Sequence, residues 1–259
     1  MENCRERWYD AEAKVAVTFV DVTEAAQALA RGHLMGPAAA YYLAKALAAA
    51  ALLGAEASEK DEVLSIQMKC SGPLGGFNVE CTADGKLRGY TEKKILDDFD
   101  GLGNPDARKV VGDKKLQITR SVPGRIISQG IAASLDSYLS GSLQRKATIR
   151  LEAAVNDDVE ILGARGVLVE DMPDREGDLV CCRIDEVKSL GVAGKNVLKQ
   201  LGLTHAELKT TEPLAFGCGC SQAKAESMLA ALSLEERKNL PASIAITCHK
   251  CGRTYTVKI

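Results

Sequence analysis

Nine cysteines stand in a chain of 259 residues, and four of them fall in two close pairs near its end. Cys218-Gly219-Cys220 and Cys248-His249-Lys250-Cys251 are separated by 27 residues. Four thiolates satisfy a tetrahedral Zn²⁺ and leave no position open. Soft sulfur suits zinc, which has no redox activity of its own. Gly219 and Gly252 suit the tight turns that fold a backbone round an ion. A permanent structural staple is the plainest reading. The same residues also allow a switch, because the thiolate is the oxidisable form of cysteine. Conversion of four thiols to two disulfides would remove every ligand and release the metal. Lys224, Lys250 and Arg253 lie nearby in sequence and would favour ionised sulfur. The C-x-C spacing leans toward the switch, since ordinary ribbons use two C-x-x-C knuckles. A third chemistry is thiol–disulfide exchange at Cys248 and Cys251, whose spacing permits a lowered thiol pKa. Against it, the pair is expected in a hairpin, not at the start of a helix. His249 is a further potential ligand, but four cysteines already fill the site. His33 and His205 have no partner motif and read as surface or packing residues.

The elements that must gather these sulfurs are short. Helices are expected over Ala223–Leu232 and Leu234–Leu240, and strands over Ser243–Thr247 and Thr254–Ile259. The C-x-x-C would then sit at a hairpin tip. A unit of 47 residues, 213–259, has too small an apolar interior to be stable alone. Structural zinc contributes about 10–16 kcal/mol at neutral pH. Whole domains have a net stability of roughly 5–15 kcal/mol. Loss of the metal is therefore expected to unfold this unit. It carries a net charge of +3, against −5 for the remainder. Residues 176–212 hold short amphipathic pieces broken by Gly191, Gly194 and Gly202, with six acidic and five basic residues. They read as a helical linker with little core of its own, at the low-stability end of the molecule.

Residues 1–175 read as an α+β core. Strands are expected over Ala13–Val20, Val63–Cys70, Phe77–Thr82, Lys86–Thr91, Lys115–Arg120, Arg125–Ile127, Ala147–Val155 and Val159–Glu170. Asp84-Gly85 marks a hairpin. Helices are expected over Asp21–Arg31, with Asp21 or Thr23 as N-cap, and from Pro37 to about Leu53, stopped by Gly54. A third is expected over Gly130–Leu139, and 97–113 reads as a loop. The fold class is thus α+β: an N-terminal mixed sheet-and-helix core, a short helical linker and a small C-terminal zinc-binding domain.

Composition narrows the function further. Hydrophobic residues make up 46 % and charged residues 26 %, which is globular. A net charge of −2 supplies no general basic field for nucleic acid, and 4 % aromatics supply no stacking surface. A zinc-ribbon nucleic-acid module would have to rest on the +3 tail alone. The run Ala38–Leu53, interrupted by Lys45, reads as a buried helix, so no membrane partner is expected. No export signal is read at the N-terminus, and a cytoplasmic location is expected. An odd cysteine count there disfavours a static disulfide framework. No G-x-x-x-x-G-K-[ST] phosphate loop occurs.

The chain resembles the redox-regulated thirty-three-kilodalton heat-shock chaperone family. The resemblance is carried by Phe216-Gly217-Cys218-Gly219-Cys220-Ser221, by Leu229 to Glu236, and by Cys248-His249-Lys250-Cys251-Gly252 with Tyr255. It extends to Gly72-Pro73-Leu74-Gly75 and Leu87-Arg88-Gly89-Tyr90, to His33-Leu34 before Gly36-Pro37-Ala38, to Tyr138, Ser142 and Gln144, and to Met172-Pro173. The pieces occur in the family's order over nearly the whole length. Leu143 stands where an acidic residue is usual, and Lys146-Ala147 replaces a proline-bearing form. The resemblance implies an ATP-independent holdase, not an enzyme. It implies one Zn²⁺ per chain held by Cys218, Cys220, Cys248 and Cys251 when reduced. On oxidation it implies disulfides Cys218–Cys220 and Cys248–Cys251, unfolding of the tail and linker, capture of unfolded clients, and a homodimer when activated. Cys4, Cys70, Cys81, Cys181 and Cys182 lie outside the motif. Cys70 and Cys81 read as small core residues. Cys181-Cys182 falls in the linker, where a vicinal disulfide would strain the backbone.

Overall fold

A computed structural model describes residues 3–101, 106–233, 235–236 and 240–258. Its centre is helix α2, Pro37–Leu53. Pro37 occupies the first turn, and the Asp100 carboxylate caps it by accepting the Ala38 N–H at 2.9 Å. Alanine and leucine cover all sides of α2, so only a site enclosed on all sides suits it. Fourteen of its 17 residues are buried. Pro37–Glu56 is long and apolar enough to cross a membrane, yet 78 % of its most apolar window lies inside the molecule. It is the core helix, as its pattern predicts. Helix α1, Thr23–His33, packs beside it and ends at Leu34, which takes a left-handed conformation.

Two sheets enclose α2. The first holds β1 (Cys4–Asp10), β2 (Val15–Asp21), β8 (Lys146–Val155), β9 (Ile161–Asp171) and β10 (Glu207–Pro213), in the order β10-β1-β2-β9-β8 and antiparallel throughout. The second holds β3 (Val63–Cys70), β4 (Gly76–Thr82), β5 (Lys86–Thr91), β6 (Lys114–Val122), β7 (Arg125–Ala132) and the two-residue β11 (Ala215–Phe216). Its order is β11-β5-β4-β3-β6-β7, and only β11 runs parallel to its neighbour. Period-two alternation sends Leu64, Ile66 and Met68 of β3 into the interior beside α2. This is the α+β class expected.

The five-stranded sheet is apolar on both faces. Val20 and Leu168 join the α2 cluster, whereas Val15, Val17, Phe19, Val167 and Val169 face a second cluster. Residues 179–203 cover that second face. A short 3₁₀ turn, Cys181–Glu186, and helix α5, Gly194–Leu201, bury Val180, Ile184, Val187, Leu190, Val197, Leu198, Leu201 and Leu203 there. The segment has no interior of its own and borrows one from the sheet. Polar clamps fix it. Asp171 accepts the N–H groups of Val180 and Cys181 at 2.9 and 2.7 Å. The Arg150 guanidinium donates to the carbonyls of Ile184, Val187 and Lys188. Glu6 accepts from Gly194 N–H at 2.9 Å and from the indole of Trp8, which lies under α5.

Several expectations change. Strand β1 is not expected from the sequence, yet Cys4–Asp10 pairs on both sides, and its buried Arg5 donates to Ala51 O and to Glu212. The expected helix over Gly130–Leu139 does not form as one piece. Pairing with β6 keeps β7 extended to Ala132, and the helix α4, Leu135–Ser137, starts only where Ser134 caps it, followed by a wide turn over Tyr138–Ser142. The loop 97–113 contains a helical turn, α3 (Ala107–Val110), capped by Asp106. The end of 176–212 is not helical: residues 207–213 form a strand across that boundary, because the edge of β1 is open to pair. Most of the expected helix over Leu234–Leu240, and Ile259, lie outside the described residues.

Glu62 ties β3 to β6. Only 1 % exposed, it accepts from Ser58 N–H at 2.8 Å and from Arg120 at 2.7 Å. Burial pushes its carboxyl up, but these donors outweigh burial and hold it below the ordinary carboxylate value. A depressed folded pKa contributes stability that is present above the unfolded value and lost as pH falls through the folded one. Glu62→Gln should cost about 3–5 kcal/mol near neutral pH, the range for breaking one side of a buried pair. Urea unfolding should show that gap narrowing in acid; an equal gap at both pH values would refute the assignment.

Candidate metal centre

Strand β5 organises both halves of the cysteine site. On its open edge β11 pairs Ala215 with Lys86 and Phe216 with Leu87, and Gly217 N–H donates to Leu87 O at 3.0 Å. That contact delivers Cys218. Ser221 then caps helix α6, Gln222–Ala230, by accepting Lys224 N–H, and the Lys224 ammonium donates to Gly219 O. The second half sits between β12 (Ser243–Thr247) and β13 (Thr254–Lys258), an antiparallel hairpin, as expected. Cys248 N–H donates to Arg253 O at 2.8 Å and Gly252 N–H to Cys248 O at 2.9 Å, which closes the knuckle. Gly252 is required twice over. Its φ is +74°, and a Cβ there would lie 2.0 Å from Gly32 O.

The four sulfurs of Cys218, Cys220, Cys248 and Cys251 all lie within 4.8 Å of one another. Cys218 and Cys248 are 3.8 Å apart and Cys220 and Cys251 3.5 Å. A tetrahedron with sulfur about 2.3 Å from its centre has edges of about 3.8 Å. The cage thus has the size and the donor chemistry for a metal ion of zinc's kind. All nine cysteines are free thiols, and the S–S bond length of about 2.05 Å is not approached at the site. Among the described residues this is the group of three or more potential ligands with such geometry.

Its electrostatics are uneven. Burial pushes the Cys218 thiol up, and the 3 % exposed Cys251 up to about 12. Burial also opposes ionisation of Cys220, but hydrogen bonds from Tyr255 Oη, 3.0 Å away, and from the neighbouring sulfurs outweigh it and bring that thiol down to about 7. Tyr255 appears in the sequence only as part of a strand and a family motif; its bond to Cys220 spans 35 residues. Lys250 is not spent on the thiolates, as its position in sequence suggests. Its ammonium meets Asn78 and Glu80 of β4 at 2.7 and 2.6 Å. His249 stacks edge-on against Tyr90 of β5, with ring centroids 3.9 Å apart, and its ring is not part of the sulfur cage. His33 is buried: Nε2 donates to Gly89 O at 3.0 Å and Nδ1 has no partner. His205 is exposed and pairs with Glu12.

The remaining cysteines are scattered. Cys81 is buried in the core beside Arg5, and Cys70 is half-buried. Cys181 is buried in the second cluster, its thiol raised to about 12 by burial and then by Asp171, while Cys182 faces solvent. Neither geometry brings them to the four-sulfur site.

An α+β protein whose sheet edge carries a four-thiol cage is the class that fold and site define. The Hsp33 protein family model matches residues 6–258, and the chain belongs to that family. It is 27 % identical to the 33 kDa chaperonin of Lactobacillus helveticus over 93 % of this chain and 88 % of that one. It is 28 % identical to the 33 kDa chaperonin of Thermus thermophilus over 93 % and 79 %. The crystal structure of the 33 kDa chaperonin (heat shock protein 33 homolog) of Thermotoga maritima superimposes with a TM-score of 0.87 over 100 % of this chain and 95 % of that one, at 18 % identity. The fold is therefore that of Hsp33, and the chain is a chaperone-family protein.

Tyr255→Phe removes a donor to Cys220. In reduced, zinc-loaded protein the pH at which acid releases the ion should move upward, because the Cys220 thiolate loses a donor and protons compete for it more easily; a zinc-sensing dye followed against pH checks this. No movement would show that the other sulfurs alone support that thiolate.

Proposed function

We propose that this chain is a redox-regulated, ATP-independent holdase of the cytoplasm, in which Cys218, Cys220, Cys248 and Cys251 hold one Zn²⁺ in the reduced state. The observation that carries the reading is the sulfur cage, with four thiols inside 4.8 Å. Bound zinc supplies cohesion to a tail that cannot close an interior by itself. The chain's own residues do the rest. Gly217 and the knuckle at Gly252 present the sulfurs, and Tyr255 donates to Cys220.

Oxidation is the proposed trigger. Each disulfide requires two electrons and two protons to leave a thiol pair. Two equivalents of a peroxide therefore convert four thiols to two disulfides, with water as the reduced product. The pairing we adopt from the family resemblance is Cys218 with Cys220 and Cys248 with Cys251. In the reduced cage every pair of these sulfurs lies within 4.8 Å, so pairing within a motif needs only a closer approach, to the S–S bond length of about 2.05 Å. The functional units in this reading are the core 1–175, the linker 176–212 and the switch 213–259. Once the switch unfolds, β10 and the linker lose their tether on that side. The apolar face of Val15, Val17, Phe19, Val167 and Val169 is then open to unfolded polypeptides. Clients are unfolded proteins, and the activated form is a homodimer. Turnover of a dithiol substrate is not expected, because the C-x-x-C closes a hairpin turn and lacks a helix start that would stabilise a thiolate.

Reduced protein should contain about one zinc per chain, the number a four-ligand site takes. Acid should release it, because protons compete for four thiolates. A metal assay that finds none in reduced, metal-replete protein would sink the reading. Peroxide with mild heat should release the ion and switch on suppression of client aggregation, measured by light scattering. Equal suppression before and after oxidant would leave a chaperone without this switch.

A further inference from the structure

The outer edge of β5 has one feature the switch does not need. Four backbone groups along it, from Gly85 to Gly89, are satisfied by residues that sit against it from elsewhere. Gly85 O accepts from Ala215 N–H at 3.1 Å, and Leu87 O from Gly217 N–H at 3.0 Å. Gly89 N–H donates to Lys250 O at 3.0 Å, and Gly89 O accepts from His33. Three of these four partners belong to the tail that carries the cysteines. Leu214 and Phe216, two residues apart on one face of the strand, pack into the main core, and Leu214 is 4 % exposed. They lie along an open cleft whose other wall is Asn3, Glu24, Ala25 and Ala28. The tail thus lays a short, extended, apolar peptide along a sheet edge.

We propose that this edge, the backbone of Gly85, Leu87 and Gly89 with the cleft beside α1, is a docking surface for an extended apolar segment of an unfolded polypeptide. Leu214–Gly217 is its resident stand-in. The inference rests on the switch reading, since the tail must leave before a client can enter. The stand-in is weakly held as a strand: β11 is two residues long. An edge so uncovered is a template for strand addition. Strand addition takes its affinity from main-chain hydrogen bonds, with pockets reading only alternate side chains. That suits clients that share no sequence. The occupant is specified by the stand-in itself: apolar side chains at alternate positions and an unblocked main chain.

Hydrogen exchange on the full chain tests this. The Gly89 amide, whose N–H donates to Lys250 O, should be protected in the reduced, zinc-bound protein and exchange at least about tenfold faster after oxidation. Adding a chemically unfolded client should restore its protection. A Phe216→Ser variant should loosen the stand-in with the cysteines intact. It should suppress client aggregation while reduced and with its zinc retained, so this arm stands even where the redox reading fails. Three results overturn the proposal: protection of the Gly89 amide unmoved by oxidant, protection lost but not regained with client, or protection regained without client as protein concentration rises. The last would make a second copy the occupant.

Discussion

Four sulfurs within a few ångströms of one another, seated on the edge and face of β5, are the constraint on which the tail's placement depends. The tail supplies the four sulfurs, and the core supplies the surface that positions them. Cys251 is buried in the main cluster, and the other three pack against it. Gly32 and Gly252 meet so closely that neither tolerates a Cβ: one at Gly32 would lie 2.6 Å from Cys251 O. Lys250 and His249, the residues enclosed by the C-x-x-C, reach Asn78, Glu80 and Tyr90 on two adjacent strands, with Asn78 paired to Tyr90 and Glu80 to Arg88. The cage and its seat therefore form one unit, in which disorder at the sulfurs is felt directly by the sheet.

The second constraint is the double-sided apolar sheet. A sheet buried on one face alternates apolar and polar residues, whereas β2 reads Val-Ala-Val-Thr-Phe-Val-Asp and buries both sides of itself in part. One cover, α2, is continuous and enclosed. The other is a set of short pieces clamped by Asp171, Arg150 and Glu6. Removal of the second cover leaves the first cluster closed, because the two clusters share the sheet but not their side chains.

Much of this was legible in the residue order. Helix α2 announces itself through Gly36-Pro37, its alanine run and Gly54, and β3 to β5 through alternation and Asp84-Gly85. The four ligand candidates were legible from spacing alone. What escaped are contacts between residues far apart in sequence. Strand β1 reads Cys-Arg-Glu-Arg-Trp-Tyr-Asp, and its charges disguise a buried strand, because Arg5 is 2 % exposed only by virtue of Ala51 O and Glu212. Lys250 looks like a neighbour of the thiolates until the fold brings Glu80 to it across 170 residues. Nothing in 207–213 signals a strand without knowledge that β1 offers an open edge.

Trp8 is the only tryptophan in the chain. It is 7 % exposed, its indole N–H is bound to Glu6, and Gly194 at the start of α5 lies against it. Whatever lifts α5 from the sheet therefore wets that ring. The molecule carries its own optical gauge of the position of α5, readable by the colour of its emission without any label.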